Sequence, residues 1–355
     1  MRENYPFEDQ PRKKKKSGLL GRIIRRFFLL IFTGPSPAAA RVLAMSLTEA
    51  SATKWVPGLF LGDEAVEAIR KNVDAAVPDD VTDTSQVVIQ SGSIGAASDE
   101  WANYPDGIYF VEIQGQTYNA HMMVVRDPSK VYMATSTPGA FSRNIPGIRI
   151  TEAIENEKGI AAVNAGAFFD NGTSGPEVGA TPEGLVIADG KVRWNSGRAP
   201  EEGFAGFNKD NILVVAKTMD AETAMKLNIR DGCCFGPVLI MNGEVSMEAY
   251  NSASGYNPRT AIGQRADGAV LFLCIDGRQA GSLGGTYADI INIMLEYGAV
   301  NACNMDGGSS SVMLYRDTYG LYGEPGQVQM MNSYSVIQSQ PRRMPNFWMV
   351  GGSEE

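Results

Sequence analysis

Two Asp-Gly steps, Asp276-Gly277 and Asp306-Gly307, end apolar runs in this 355-residue chain, and each opens a loop with almost no side-chain bulk. "DGRQAGSLGGT" (276–286) carries Gly277, Gly281, Gly284 and Gly285, and "NMDGGSSS" (304–311) runs from Gly307 and Gly308 into three serines. A carboxylate at a strand end beside bare backbone can be approached closely by a ligand. Two together suit an acid and a base, a nucleophile and an acid, or a pair of metal ligands. Each alone also reads as a loop cap that accepts backbone N–H groups.

Two further stretches share the design. In "NPRTAIG" (257–263), Pro258 pins the backbone ahead of Arg259, which suits a phosphate or carboxylate and equally a structural ion pair. In "NAGAFFD" (164–170), Asn164 with Gly166 can orient a sugar hydroxyl. Phe168 and Phe169 read as a stacking platform or as core, and Asp170 as a metal ligand, although "DNGTSG" lacks the acidic spacing of a calcium loop. The free N–H groups where a helix starts at Thr286, together with Arg278, suit an anion.

Other chemistries are excluded. There is one histidine, His121, placed inside a strand pattern and read as structural, and no Cys-x-x-Cys pair, so a Cys/His zinc site has no ligand set. Neither a Walker loop nor a dinucleotide fingerprint occurs. Ser309, Ser310 and Ser311 have no G-x-S-x-G elbow and no evident base. The net charge is −9, while residues 1–41 carry ten Lys and Arg against three acids, so the body is acidic and no nucleic-acid partner is expected.

The elements that must position these residues are short and β-rich. Strand-like runs cover 108–115, 121–127, 130–136, 160–166, 211–218 and 237–245. Asp189-Gly190, Asn242-Gly243 and Asp267-Gly268 read as hairpin turns. Helices are expected over 149–159 and from an N-cap at Thr286 to a stop at Gly298. The pattern is α+β, with a mixed, mostly antiparallel sheet, packed helices and a strand-helix-strand unit near 269–305. Crossover logic sets strands 269–275 and 300–305 near each other, often adjacent, so that Asp276 and Asp306 share one sheet edge. Cys274 and Cys303 are then candidates to pair, against the alternative of four buried free thiols.

Residues 1–47 order a cationic start (Lys13–Lys16, Arg22, Arg25, Arg26), a short apolar centre (Phe27–Phe32) and small residues at Ala38–Ala40. This is a basic membrane-proximal signal or anchor, or else an amphipathic tail on an anionic membrane. Residues 48–106 read as a helical stalk and polar linker, and 107–350 as the domain.

In chain order, "AAVNAGAFF", "NPRTAIG", "IDGR" and "NACNMDGGSSSVM" resemble the signature segments of the phosphodiester glycosidase family, over about Gly107 to Trp348. Ala165 and Ala167 break up the first segment, and Ser309 stands where a third glycine is common. The resemblance implies hydrolysis of a sugar-1-phosphodiester, releasing an N-acetylglucosamine-like sugar and a phosphomonoester. It implies a pocket lined by Asn164, Arg259, Thr260, Asp276, Arg278, Thr286, Asn304, Asp306, Gly307, Gly308, Ser309 and Ser310, with Gly166 and Gly285 in the same segments. Arg259 and the Gly284–Thr286 helix start would hold the diester. Asp306 and Asp276 would serve the departing group and the water or sugar centre, their roles undivided. A cell-envelope glycan or polysaccharide, met by an extracytoplasmic domain held near the membrane, is the expected partner. Two readings compete: a phosphodiesterase attacking phosphorus, with a divalent metal on Asp276, Asp306 and Asp170, and a non-catalytic envelope polysaccharide binder.

Overall fold

The computed structural model describes residues 81–87, 101–169, 179–197, 203–334 and 340–352. The expected anchor at 1–47, most of 48–106 and Asp170 lie outside the described residues. The α+β class with mostly antiparallel sheet is what the chain adopts, with the strands divided among three sheets. The first contains β1 (Ile108–Gln114), β2 (Asn119–Val125), β10 (Val238–Met241), β11 (Glu244–Val245), β12 (Arg259–Arg265), β13 (Val270–Ile275) and β14 (Ala299–Met305), in the order β1-β2-β13-β12-β14-β10-β11. The second contains β3 (Val131–Thr135), β4 (Ala161–Asn164), β15 (Met313–Arg316), β16 (Val328–Met330) and β17 (Asn346–Val350), in the order β16-β15-β4-β17-β3. The third contains β5 (Leu185–Ala188), β6 (Lys191–Asn195), β7 (Phe204–Asn208), β8 (Leu213–Ala216) and β9 (Ile229–Cys234), in the order β6-β5-β9-β7-β8.

The inner faces of all three sheets close on one core, where Met123, Val163, Val186, Phe207, Ile262, Phe272, Met305 and Trp348 meet. Helices cover the outer faces. Over the second and third sheets lie α1 (Ile150–Asn156) and α2 (Ala221–Lys226), and over the first lie α3 (Met247–Asn251) and α4 (Tyr287–Glu296). On α4, Ile290, Ile291, Ile293 and Met294 pack against Ala261, Leu271, Leu273 and Ile275. That explains why β13 reads as an unbroken apolar run: its odd and even residues are both covered, one set by the core and the other by α4. Truncating one of these Ile, Leu or Met side chains to Ala costs about 2–5 kcal/mol.

The expected neighbours β13 and β14 are one strand apart, with β12 between them. The hairpin turn after Arg265 forces β12 against β13, so the α4 crossover returns the chain on the far side of β12. The shared edge survives, because both strands run antiparallel to β12. The disulfide does not: Cys274 is in register with Thr260, Cys303 with Ile262 on the other side of β12, and all four thiols are free and buried. Residues 81–87 lie against the body, with Val81 bridged to Ala216 and Thr82 hydrogen-bonded to Val215. Among the described residues, no helix is long and apolar enough to cross a membrane.

Candidate active site

The register that pairs Arg259 with Ile275 and Thr260 with Met305 brings Arg259, Asp276 and Asp306 to one end of the first sheet. Asp276 continues the inner face of β13 and is 2% exposed. Its backbone N–H donates to Asn119 O at 2.9 Å, and its C=O accepts from Ser282 Oγ at 2.7 Å. One carboxylate oxygen, Oδ2, lies 3.2 Å from His121 Nε2 on β2. The other, Oδ1, is buried with no hydrogen-bond partner among the described residues. A buried acceptor left in that state is costly, so Oδ1 marks where a hydroxyl or water donor fits.

The 276–285 loop folds back so that Arg278, exposed and with a positive φ of 58°, reaches the second Asp-Gly loop. Its Nη2 donates to Asn257 Oδ1 at 2.8 Å. Its guanidinium lies against Gly308, where a Cβ would stand 3.2 Å from Nη1. Gly308 has a φ of 62°, so glycine serves both the turn and the contact. The Gly308 N–H donates to Pro258 O at 2.8 Å, locking this turn to the Arg259 strand entry. One residue on, Arg342 reaches Ser309 Oγ with Nη1 at 3.4 Å while its guanidinium sits 4.7 Å over the Phe168 ring. Tyr334 donates its hydroxyl to Ser309 O at 2.7 Å. Two guanidinium groups therefore contact the Gly307–Ser309 turn, one at Gly308 and one at Ser309. Asp306 accepts the Gly307 N–H on Oδ1 at 2.9 Å and is partly exposed.

Other expected site residues hold this edge together from beneath. Asn164, fully buried, donates Nδ2 to Asp306 O at 2.6 Å. Its Oδ1 accepts from Thr260 Oγ1 at 2.8 Å and from Val312 N–H at 3.1 Å, stitching β4 of the second sheet to β12 and β14 of the first. Gly166 is buried against Cys233 and donates its N–H to Asn346 Oδ1 at 2.7 Å. Asn304 donates to Gly236 O at 2.8 Å; its Oδ1, like Ser310 Oγ and Ser311 Oγ, is buried without a hydrogen-bond partner among the described residues.

Arg259 is 4% exposed, and its guanidinium bonds Gly285 O at 3.2 Å and Gly255 O at 2.9 Å while stacking 4.4 Å over Tyr287. It ties the two glycine loops to α4. The expectation that the helix start holds an anion is corrected. Thr286 forms a capping box with Asp289, whose carboxylate takes the Thr286 N–H at 2.8 Å and hydroxyl at 2.7 Å, and Ser254 Oγ takes the Tyr287 N–H at 3.0 Å. A carboxylate of the chain itself already stands there.

Residue-by-residue reading missed His121, Asn257, Tyr334 and Arg342. His121 is the only histidine of the chain, and the paired cations of "QPRRMP" (340–345) were a second usable signal. Of the two phenylalanines, Phe168 is buried under Arg342, and Phe169 is exposed with Arg143 stacked 5.3 Å from it. Among the described residues, no three His, Cys, Asp or Glu side chains group closely enough to hold a metal ion. A separate cleft of about 900 Å³ runs along β3 between Tyr132, Glu157, Asp189 and Arg193, and none of the residues at the sheet edge lines it.

The chain belongs to the phosphodiester glycosidase family, whose model matches residues 157–351. The fold is similar to the solved catalytic domain of zebrafish N-acetylglucosamine-1-phosphodiester alpha-N-acetylglucosaminidase, auto-inhibited by its pro-peptide. The TM-score is 0.54 at 20% identity, covering 80% of this chain and 92% of that one. The chain is also 27% identical over 192 residues to the SPbeta prophage-derived uncharacterized protein YomE of Bacillus subtilis; the match takes in 52% of this chain and 27% of that longer protein.

Proposed function

We propose that the chain hydrolyses a sugar-1-phosphodiester by cleaving the bond between the anomeric carbon and the phosphate oxygen. The observation that carries this reading is that Arg278 and Arg342 both contact the Gly307–Ser309 turn, at the sheet edge that also presents Asp276. Guanidinium groups suit phosphate oxygens, and a turn of two glycines and a serine lets a diester come close. Water attacks the anomeric carbon and gives a proton to Asp276 Oδ1. The C1–O bond breaks with its electron pair going to the phosphate oxygen, which leaves as a phosphomonoester held by the two arginines. Phosphate is a good leaving group, so protonation of that oxygen contributes little. Arg259, Asn164, Thr260 and Thr286 shape the loops that carry these groups. An N-acetylglucosamine-like sugar is supported by likeness to the zebrafish enzyme. An envelope location is supported by the cationic-then-apolar order of residues 1–47.

Hydrolysis of an N-acetylglucosamine-1-phosphodiester in ¹⁸O-water tests this. Label is expected in the sugar hydroxyl. Label in the phosphate would mean attack at phosphorus and would overturn the proposal. Binding without turnover would leave a polysaccharide-binding module, and activity abolished by EDTA and restored by a divalent cation would require a metal in the step.

A further inference from the structure

We infer that His121 is the positioning residue that makes Asp276, and not Asp306, the base of this reaction, an inference that rests on the hydrolytic reading above. The two residues are placed by sheet register. His121 on β2 is paired with Cys274, and Asp276 follows two residues on, so both side chains lie on the inner face of adjacent strands. The His121 side chain is 13% exposed and the Asp276 side chain 2%. A carboxylate only accepts, so the 3.2 Å contact to Oδ2 requires the proton of the ring to be on Nε2.

Asp276 is thereby held at three points: its N–H on Asn119 O, its C=O under Ser282 Oγ, and Oδ2 under His121. Only Oδ1 remains, buried and without a partner among the described residues. Water at that oxygen is the group that can deliver a proton to it. As water oxygen bonds to the anomeric carbon, one water proton passes to Oδ1, and the electron pair of the broken C1–O bond leaves with the phosphate. His121 gives up no proton and touches no reacting atom; its hydrogen bond keeps Oδ2 engaged and aims Oδ1. Of the titratable groups near the pair, Glu112 stands in register with His121 on β1 and is exposed, and the buried Cys274 thiol lies beside Asp276. Asp306 is held differently: its Oδ1 accepts the Gly307 N–H at 2.9 Å, and it is partly exposed.

The single histidine makes the pair directly visible. The ¹⁵N ring spectrum of the intact protein holds one pair of signals, expected to show the Nε2–H tautomer in the wild type and to lose that preference in Asp276→Ala. In kinetics, His121→Ala is expected to lower kcat about 10- to 100-fold, the rate equivalent of one charge-assisted hydrogen bond, with KM changed less than about 3-fold. His121→Gln fills similar space, supplies an N–H, and is expected to recover most of the loss. A wild-type Nδ1–H tautomer overturns the inference. So does an Ala variant within about 2-fold of wild-type kcat, or a Gln variant as impaired as Ala at equal thermal stability. If the wild type turns over no phosphodiester, the hydrolytic reading falls, while the ring spectrum still decides whether the pair exists.

Discussion

Asn164→Ala should be among the most damaging single changes in this fold, although it removes only three heavy atoms. The wild-type amide satisfies Thr260 Oγ1, the Val312 N–H and the Asp306 carbonyl, at 2.8, 3.1 and 2.6 Å, across two sheets. A net hydrogen bond is worth about 0.5–1.5 kcal/mol, so three give about 2–4 kcal/mol. The three partners are left behind in a place from which water is excluded, and each orphaned group adds up to about 1–3 kcal/mol unless it finds a new partner. Allowing partial relaxation, the expected loss is about 3–5 kcal/mol, a large share of the stability of an ordinary domain. Urea unfolding followed by tryptophan fluorescence reads this out, because Trp348 is fully buried and in register with Val163, next to Asn164. Catalysis should fall further than stability at temperatures where the variant is folded, since the lost Nδ2 donor also fixes the backbone of Asp306. A loss below about 1 kcal/mol with an unchanged denaturant slope would refute the reasoning.

Arg278→Gly separates fold from function: glycine relieves the backbone at φ 58°, so stability should hold or rise by up to about 1 kcal/mol, while KM for a phosphodiester rises at least about 10-fold. Burial pushes all four thiols above their ordinary range, so Ellman's reagent should find none in the native protein at pH 8 and four after denaturation. Burial, then Glu157 and Asp231, push the Tyr132 phenol up to about 12. The folded state therefore favours the neutral phenol. This contribution is full below the unfolded value of about 10 and is lost as pH rises towards about 12. The drop in urea midpoint between pH 9 and pH 11 should be smaller in Tyr132→Phe.

The site was legible where its chemistry depends on local sequence. Asp276 and Asp306 stand where apolar runs meet glycine, and both arrive at one edge. The assignment of jobs within that edge was not legible. Arg259 looks like an anion ligand from Pro258-Arg259, and only the tertiary structure adds that its guanidinium bonds the Gly255 and Gly285 carbonyls and stacks on the Tyr287 ring. Thr286 signals a helix start, but whether its donors serve a ligand depends on Asp289 three residues on. His121 was read as structural because its strand pattern is the same whether the ring faces a methionine or a carboxylate.

By itself, the amino-acid order determined the element types, the hairpin turns, the N-cap at Thr286 and the strand ends that carry the carboxylates. These follow from contacts a few residues apart: apolar alternation, glycine at positive φ and side-chain capping. Tertiary structure decided that β12 lies between β13 and β14, that the cysteines stay apart, and that Arg342 arrives beside Ser309. It also decided that His121 meets Asp276 across 155 residues of sequence. Those pairings are set by sheet register and core closure, in which each strand's place depends on every other strand burying its apolar face, and no local stretch of sequence carries that information.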